Sequence, residues 1–493
     1  MTSTGGRTTV LWAILIGLIA IALVAASLLV WVVTSGRFQP PFAGPDDTSK
    51  PALPVMKGKD GIGDPYFPDY GATGYNATKY DIDVTFDPSA ETINGTTTMS
   101  AVADPDAQWS TVSLDLLLPV GSVEVNGEAA EFTQQRGSRN VDITPVTPVT
   151  GEFTVTVSYA GRPADYLDER VQGWLVKGEE WVLAGEPESA PLWFASNDHP
   201  RDPATYDISL RVPAGMQALS AGRLLSTDAG SEDDWDTWHY EQAQPVPTYS
   251  VFVAFGSFSI ERGEADGLEY VYAVSNQLGK RQRAAIMDVL DDSGRIVRAL
   301  EEFLGPYPLD SVGGVVPVVS FWFGALETAG RPVYHVNAAV ENVVVHELAH
   351  MWVGNTVTLY DWNDIYINEA MASYAEWVYA ERHGGRTAQQ AMDAMLGRFS
   401  QWSVIPSDPG ADKVFTVAYT RGPMSLQALR NVYDDDAGFF AMWKQWAQTT
   451  GPRSLEDFRA FAQEHTSHDL TDFFTAWLDS PQRPEQTAGN GFR

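Results

Sequence analysis

The chain has no cysteine in 493 residues. That excludes a thiol nucleophile, a disulfide framework and any metal site built on thiolates. It leaves the compartment open, because disulfides are optional outside the cell. Basic residues are also scarce: 32 Lys and Arg stand against 64 Asp and Glu, a formal net charge of −32. Such a surface repels a phosphate backbone, which argues against nucleic acid as a partner. It suits solubility, and equally the attraction of cations such as the protonated amino end of a peptide. Histidine is rare, with eight in the whole chain. No internal repeat is visible.

What is present fits a folded body, with 44% hydrophobic and 19% charged residues. The length suggests two domains once a terminal segment is set aside. Val10 to Val33 is a run of 24 residues without a charge, long enough to cross a bilayer core of roughly 30 Å. Trp12 and Trp31 sit near its ends, where interfacial aromatics are expected. A cleaved signal peptide is the rival, with Val24-Ala25-Ala26 as a cleavage site before Ser27. The apolar run continues through Val33, which favours an uncleaved anchor. The expectation is a cytoplasmic tail (1–9), a single N-terminal transmembrane helix (10–33) and an acidic body outside the cell membrane.

Residues 34–68 are rich in proline and read as an extended tether. Period-two alternation follows in Ile82, Val84, Phe86, then Phe153, Val155, Val157, Tyr159, then Tyr206, Ile208, Leu210, Val212. It predicts half-buried strands, and Asn126-Gly127 predicts a hairpin turn. Residues 69–262 thus read as a β-sandwich-like domain. Helical spacing begins near 277, with Leu278, Ile286, Leu290, Ile296, Leu300 and Leu304 on one side. Val315 to Phe323 is a short apolar run whose Pro317 predicts an edge strand. Helices dominate to about 480, so the fold class is α+β with a mostly helical second domain, 263–480. Residues 481–493 read as a disordered tail.

The chemistry concentrates in His346-Glu347-Leu348-Ala349-His350. Two histidines one helical turn apart point the same way and can grip one Zn²⁺. Glu347 between them can act on water. A short motif of this kind arises by composition in on the order of one chain in a hundred. Glu369 strengthens it, separated from His350 by eighteen intervening residues, in a second helical segment that ends at Gly384-Gly385. Glu376 lies seven residues beyond Glu369, on the same face. It reads either as the partner that holds a ligand histidine by its free N–H or as a solvated charge.

With these residues in view, the chain resembles the aminopeptidase N-like zinc metallopeptidases of the gluzincin group, over roughly residues 70 to 480. Tyr80-Asp81-Ile82-Asp83 and Trp193 to Asp207 resemble that family's amino-terminal domain. The resemblance implies a thermolysin-like catalytic domain, with one zinc held by His346, His350 and Glu369 and with Glu347 as catalytic carboxylate. Phe323-Gly324-Ala325-Leu326-Glu327-Thr328 resembles the family's Gly-Ala-Met-Glu-Asn exopeptidase motif. It implies that Glu327 pairs with a free α-ammonium while Gly324 and Ala325 line the substrate strand. Tyr419 stands where the family has its catalytic tyrosine. Glu186, in Gly-Glu-Pro-Glu, stands where a second amine contact is expected, its alternative being a loop charge. The chain departs from the pattern at Thr328, Ala370, Met371 and Arg421. It also reads as a short form without the family's helical carboxy-terminal domain, with an active site more open or covered by another subunit. The expected function is a zinc-dependent aminopeptidase acting on peptides with a free N-terminal amine. A zinc endopeptidase of the same clan and a catalytically silent surface receptor are the alternatives.

Overall fold

The computed structural model describes residues 53–493, apart from 168–171, 230–233, 266 and 322. The expected cytoplasmic tail, transmembrane span and first part of the tether lie outside the described residues. Among the described residues no helix is long and apolar enough to cross a membrane.

The first part is an eight-stranded mixed sheet. Its order is Arg223–Asp228, Trp235–Val246, Ala204–Pro213, Tyr75–Asp87, Thr92–Ala103, Glu152–Gly161, Val120–Val125 and Glu128–Ala129. The alternating residues behave as expected. Ile82, Val84, Phe86, Phe153, Val155, Val157, Tyr159, Tyr206, Ile208, Leu210 and Val212 are all buried, and their neighbours are not. A half-buried strand requires that pattern. Asn126 and Gly127 both take positive φ, 53° and 78°, the hairpin turn that Asn-Gly favours. A four-stranded sheet packs beneath: Phe86 stacks on Phe255 at 4.4 Å and meets Trp174 and Trp181 edge-on. The β-sandwich-like reading holds for this part.

The second part opens with a five-stranded sheet, in the order Phe258–Ala265, Leu268–Ser275, Ser311–Val316, Val333–Tyr334 and Ala325–Leu326. The boundary drawn after residue 262 therefore falls inside a strand of the second sheet. Helices follow: α1 (Lys280–Asp291), α2 (Ser293–Leu304), α3 (Glu341–Ala349), α4 (Tyr366–Arg382), α5 (Ala388–Leu396), α6 (Arg421–Tyr433), α7 (Asp436–Ala447) and α8 (Leu455–Glu464). The single helical run expected from 277 to 304 is broken at Asp292 into α1 and α2.

Three expectations are corrected. The valine-rich strand is not an edge. Ser311–Val316 pairs on both sides, with Leu268–Ser275 and with Val333–Tyr334, and stops before Pro317. Proline lacks the N–H the ladder needs, so it ends the strand rather than marking an edge. The edge on this side of the sheet is Ala325–Leu326, which among the described residues pairs only with Val333–Tyr334. The second correction concerns the described part of the proposed tether, which is tied to the body at several points although much of it is exposed. Val55–Met56 pairs with Gln108–Trp109, and Asp64 accepts from Trp362 N (2.7 Å) and sits 3.1 Å from His199 Nε2. Its prolines restrict the backbone but leave the Asp64 carboxylate free to knit the two parts together. Third, the expected disordered tail at 481–493 folds back. Phe492 stacks on Trp477, and Gly491 O accepts from the buried Asn431 Nδ2 (2.8 Å). One aromatic ring seated on the core outweighs the Gly and Pro content of the tail.

Candidate active site

Helix α3 is short and buried on Val344, Val345, Leu348 and Ala349. It ends at His350, after which the chain turns sharply at Gly354 (φ 128°). A Cβ at Gly354 would lie 3.2 Å from His350 Nδ1 and 3.3 Å from its carbonyl, so glycine permits the close return. Helix α4 follows a capped turn at Trp362–Asp364, where Asp361 and Asp364 satisfy each other's backbone N–H groups. Almost all of its first three turns is buried, Glu369 included. Helix α6 presses against it: a Cβ on Gly422 would sit 2.5 Å from Ala370 Cβ. Ala370, one of the departures noted above, is thus matched to a glycine on the facing helix. Arg421, another, is fully buried and donates to the carbonyls of Trp402, Val404, Ala476 and Ser480. It fastens the segment that carries Tyr419.

These elements bring three donor atoms together. His346 Nε2 and His350 Nε2 are 3.0 Å apart, and Glu369 Oε2 lies 3.3 and 3.4 Å from them. Tetrahedral zinc with ligands near 2.05 Å requires donor separations of about 3.3 Å. The remaining ring nitrogens are engaged. His346 Nδ1 is 2.9 Å from Glu376 Oε1, and His350 Nδ1 is 2.9 Å from the Val353 carbonyl. With N–H groups at Nδ1, both Nε2 lone pairs face one another beside a carboxylate. A proton on one ring or a bound dication relieves that arrangement, and the donor set and its spacing fit Zn²⁺.

The charges around the triad are strongly coupled. Burial works against a charged His350, but Glu327 and Glu369 outweigh it and raise the imidazole to about 9. His346 likewise stands well above its ordinary range, burial being overcome by Glu369 and Glu376. Burial would raise Glu369, yet the two histidines hold it down at about 2. Glu347 is pushed up to about 8 by burial, against the pull of the histidines.

All ten residues singled out from the sequence line one cleft of about 340 Å³: Glu186, Gly324, Ala325, Glu327, His346, Glu347, His350, Glu369, Glu376 and Tyr419. Glu376 is placed on His346 rather than in solvent alone. Tyr419 is 41% exposed because its ring faces the open cleft, 5.8 Å from the His346 ring. Burial of the hydroxyl, with Glu369, Glu186 and Glu327 nearby, drives the phenol well above its usual value. Glu186 comes from the loop after strand Glu180–Leu183, in the β-rich part. Its Oε1 is buried without a hydrogen-bond partner. Carboxylate oxygens of Glu186, Glu327 and Glu369 lie within 4.8 Å of one another. Among the described residues the cleft lining holds five carboxylates and no lysine or arginine.

Sequence reasoning missed several neighbours. Tyr249 donates its hydroxyl to Glu327 Oε1 (2.9 Å), and Asn355 Nδ2 donates to the Glu327 carbonyl (2.8 Å). Phe323 and Phe415 add aromatic walls. Nothing in the chain near Tyr249 marks it, because its partner lies 78 residues away. Thr328, another of the departures noted above, is buried in a turn where its hydroxyl donates to the Arg331 carbonyl (2.7 Å), and it does not line the cleft.

Two family models match the chain: the peptidase M1 N-terminal domain over residues 76–250 and the peptidase family M1 domain over residues 290–477. Aminopeptidase N of Lactococcus lactis subsp. lactis is 24% identical over 413 residues, 75% of this chain and 47% of that protein. Endoplasmic reticulum aminopeptidase 1 of Homo sapiens is 28% identical over 252 residues, 46% of this chain and 26% of that one. The chain thus spans about half or less of the length of these curated relatives. Its fold is similar to that of an M1 zinc metallopeptidase from Deinococcus radiodurans. The TM-score is 0.78 and the identity 26%, over 86% of this chain and 98% of that one. A variant of the Deinococcus radiodurans enzyme, equally similar, is described as bound to a Tyr-Ser-Ala substrate.

Proposed function

From the premise that the chain belongs to peptidase family M1, we propose that it is a zinc-dependent aminopeptidase that removes N-terminal residues from peptides. The observation that carries this reading is the wall formed by Glu186, Glu327 and Glu369. The two histidines offset Glu369, but among the described residues no lysine or arginine lines the cleft to offset Glu186 and Glu327. The α-ammonium of a peptide supplies that missing cation, and an internal peptide segment cannot.

His346, His350 and Glu369 would hold one zinc ion per chain. When bound, the ion supplies a Lewis acid that activates water and polarises a carbonyl. Glu347 takes the proton of the attacking water at its carboxylate and passes it to the departing amine. The hydroxyl of Tyr419 donates to the oxyanion that develops on the scissile carbonyl. Glu327 and Glu186 hold the ammonium, so that register is counted from the peptide's end. The free edge of Ala325–Leu326 accepts the peptide backbone as an added strand, and Gly324 keeps that approach open. The uncharged run Val10–Val33 supports attachment to the cell membrane with the catalytic body outside. A reporter fused after Arg493 and active only in the cytoplasm would reverse that orientation.

The test is a panel of aminoacyl arylamides beside an internally quenched, amino-blocked peptide, each with and without chelator. The reading requires chelator-sensitive release from the arylamides and little cleavage of the blocked peptide. Preferential cleavage of the blocked peptide would establish an endopeptidase, and a metal-loaded protein inert to both would be a binding protein.

A further inference from the structure

Arg139 lies in the β-rich part, just ahead of strand Asn140–Thr144, and belongs to no motif. It is nevertheless the hub of a buried network. Its Nε donates to Asp115 Oδ1 (2.8 Å), its Nη1 to Glu188 Oε2 (2.5 Å) and its Nη2 to Asp198 Oδ2 (2.5 Å). Its guanidinium lies 3.6 Å from the centre of the Tyr70 ring, and the Tyr70 hydroxyl donates to Glu188 Oε1. Asp115, Glu188 and Asp198 are all buried. A single cation facing three carboxylates in the interior is a costly arrangement unless its geometry is used.

Two arms run from this hub to the cleft. Glu188 is two residues from Glu186, on the loop that brings the Glu186 carboxyl, whose Oε1 lacks a hydrogen-bond partner, close to Glu327 and Glu369. Asp198 Oδ1 accepts from Thr248 Oγ1 (2.5 Å), and the next residue, Tyr249, donates to Glu327 Oε1 (2.9 Å). Glu186 comes from a loop of the β-rich part and Glu327 from just past the edge strand of the second sheet, so each needs its own restraint to meet the other. The two restraints meet at one guanidinium, whose rigid fork sets the angle between them.

We propose that Arg139 is a positioning residue that holds Glu186 and Glu327 in register for the substrate ammonium, through Glu188 with Tyr70 on one arm and through Asp198, Thr248 and Tyr249 on the other. The inference rests on the reading of Glu186 and Glu327 as ammonium anchors.

The test compares inhibition of the zinc-loaded enzyme by leucine hydroxamate, which carries a free amine, and by acetohydroxamate, which does not. The quantity read is the ratio of the two inhibition constants. Tyr70→Phe and Thr248→Val each remove one hydroxyl from an arm and leave the fold intact, whereas Arg139→Lys removes the fork and is the harsher variant. Each mild variant should reduce the preference for the amine-bearing inhibitor by about fivefold, with acetohydroxamate unchanged within about twofold. Thr248→Ser, which keeps the hydroxyl, should restore the native ratio. An unchanged ratio in both Tyr70→Phe and Thr248→Val, or a parallel weakening of both inhibitors, would overturn the proposal. Glu327→Gln serves as the separate check on the premise. If it leaves the ratio native, the anchor reading has failed and this inference with it. If it alone collapses the ratio, the anchors stand and only the hub is refuted.

Discussion

Glu376→Ala is a direct probe of how the metal triad is oriented. The side chain binds no substrate in this account; it accepts from His346 Nδ1 at 2.9 Å and touches Asn342 Nδ2 only weakly, at 3.4 Å. A charge-assisted bond of that length is worth about 1.5–3 kcal/mol when buried. The Glu376 side chain is a quarter exposed, which places the loss near the lower half of that span. Truncation should therefore weaken metal binding by about ten- to fiftyfold, or about 1.5–2.3 kcal/mol. Glu376→Gln keeps an acceptor but not the charge and should fall below the full loss. Asn342→Ala should leave affinity near native. The assay is competition for zinc against a chromogenic chelator, with circular dichroism to confirm folding. A folded Glu376→Ala protein that binds zinc as tightly as the native one would refute the reasoning, since the His346 ring would then be oriented by something else.

Tyr419→Phe should lower kcat by about a hundredfold with little change in KM, measured on an aminoacyl arylamide. Gly422→Ala should cost about 1–3 kcal/mol in a denaturant melt, because the new Cβ meets the Ala370 backbone and cannot be relieved by a rotamer change. It should also reduce kcat, since Tyr419 rides on the same segment. In the metal-free protein, His350 is raised to about 9 and Glu347 to about 8. Folded apoprotein thus holds protons that the unfolded chain releases, so its stability should fall as pH rises from about 4.5 to about 9. Zinc-loaded protein should lack most of that slope in paired thermal melts.

The site was unusually legible because its chemistry demands fixed spacings. His346 and His350 had to share a helical face, which the period alone shows, while Glu376 and the Val353 carbonyl turn the rings so that they meet at 3.0 Å. Glu369 and Glu376, seven residues apart, likewise reach the cleft from one side of α4. Glu327, Tyr419 and Glu186 could be reached only through the family resemblance, since no local period links them to the histidines. Strands with one buried face were readable from alternation, as Phe153 to Tyr159 illustrates. What stayed hidden depends on contacts across long stretches of chain. Tyr249 under Glu327, the Arg139 hub and the strap through Asp64 leave no local pattern. Pro317 misled because a strand terminator and an edge marker look alike until the neighbouring strands are placed. The tail was misjudged because composition cannot reveal that Phe492 finds Trp477.

The claim on which the account rests is that His346, His350 and Glu369 hold a single divalent ion. Elemental analysis of the purified protein tests it most directly, beside His350→Ala and Glu369→Gln variants confirmed as folded. The account predicts about one zinc per native chain and its loss from both variants. A native protein free of metal after exposure to zinc, or variants that keep a full equivalent, would contradict it.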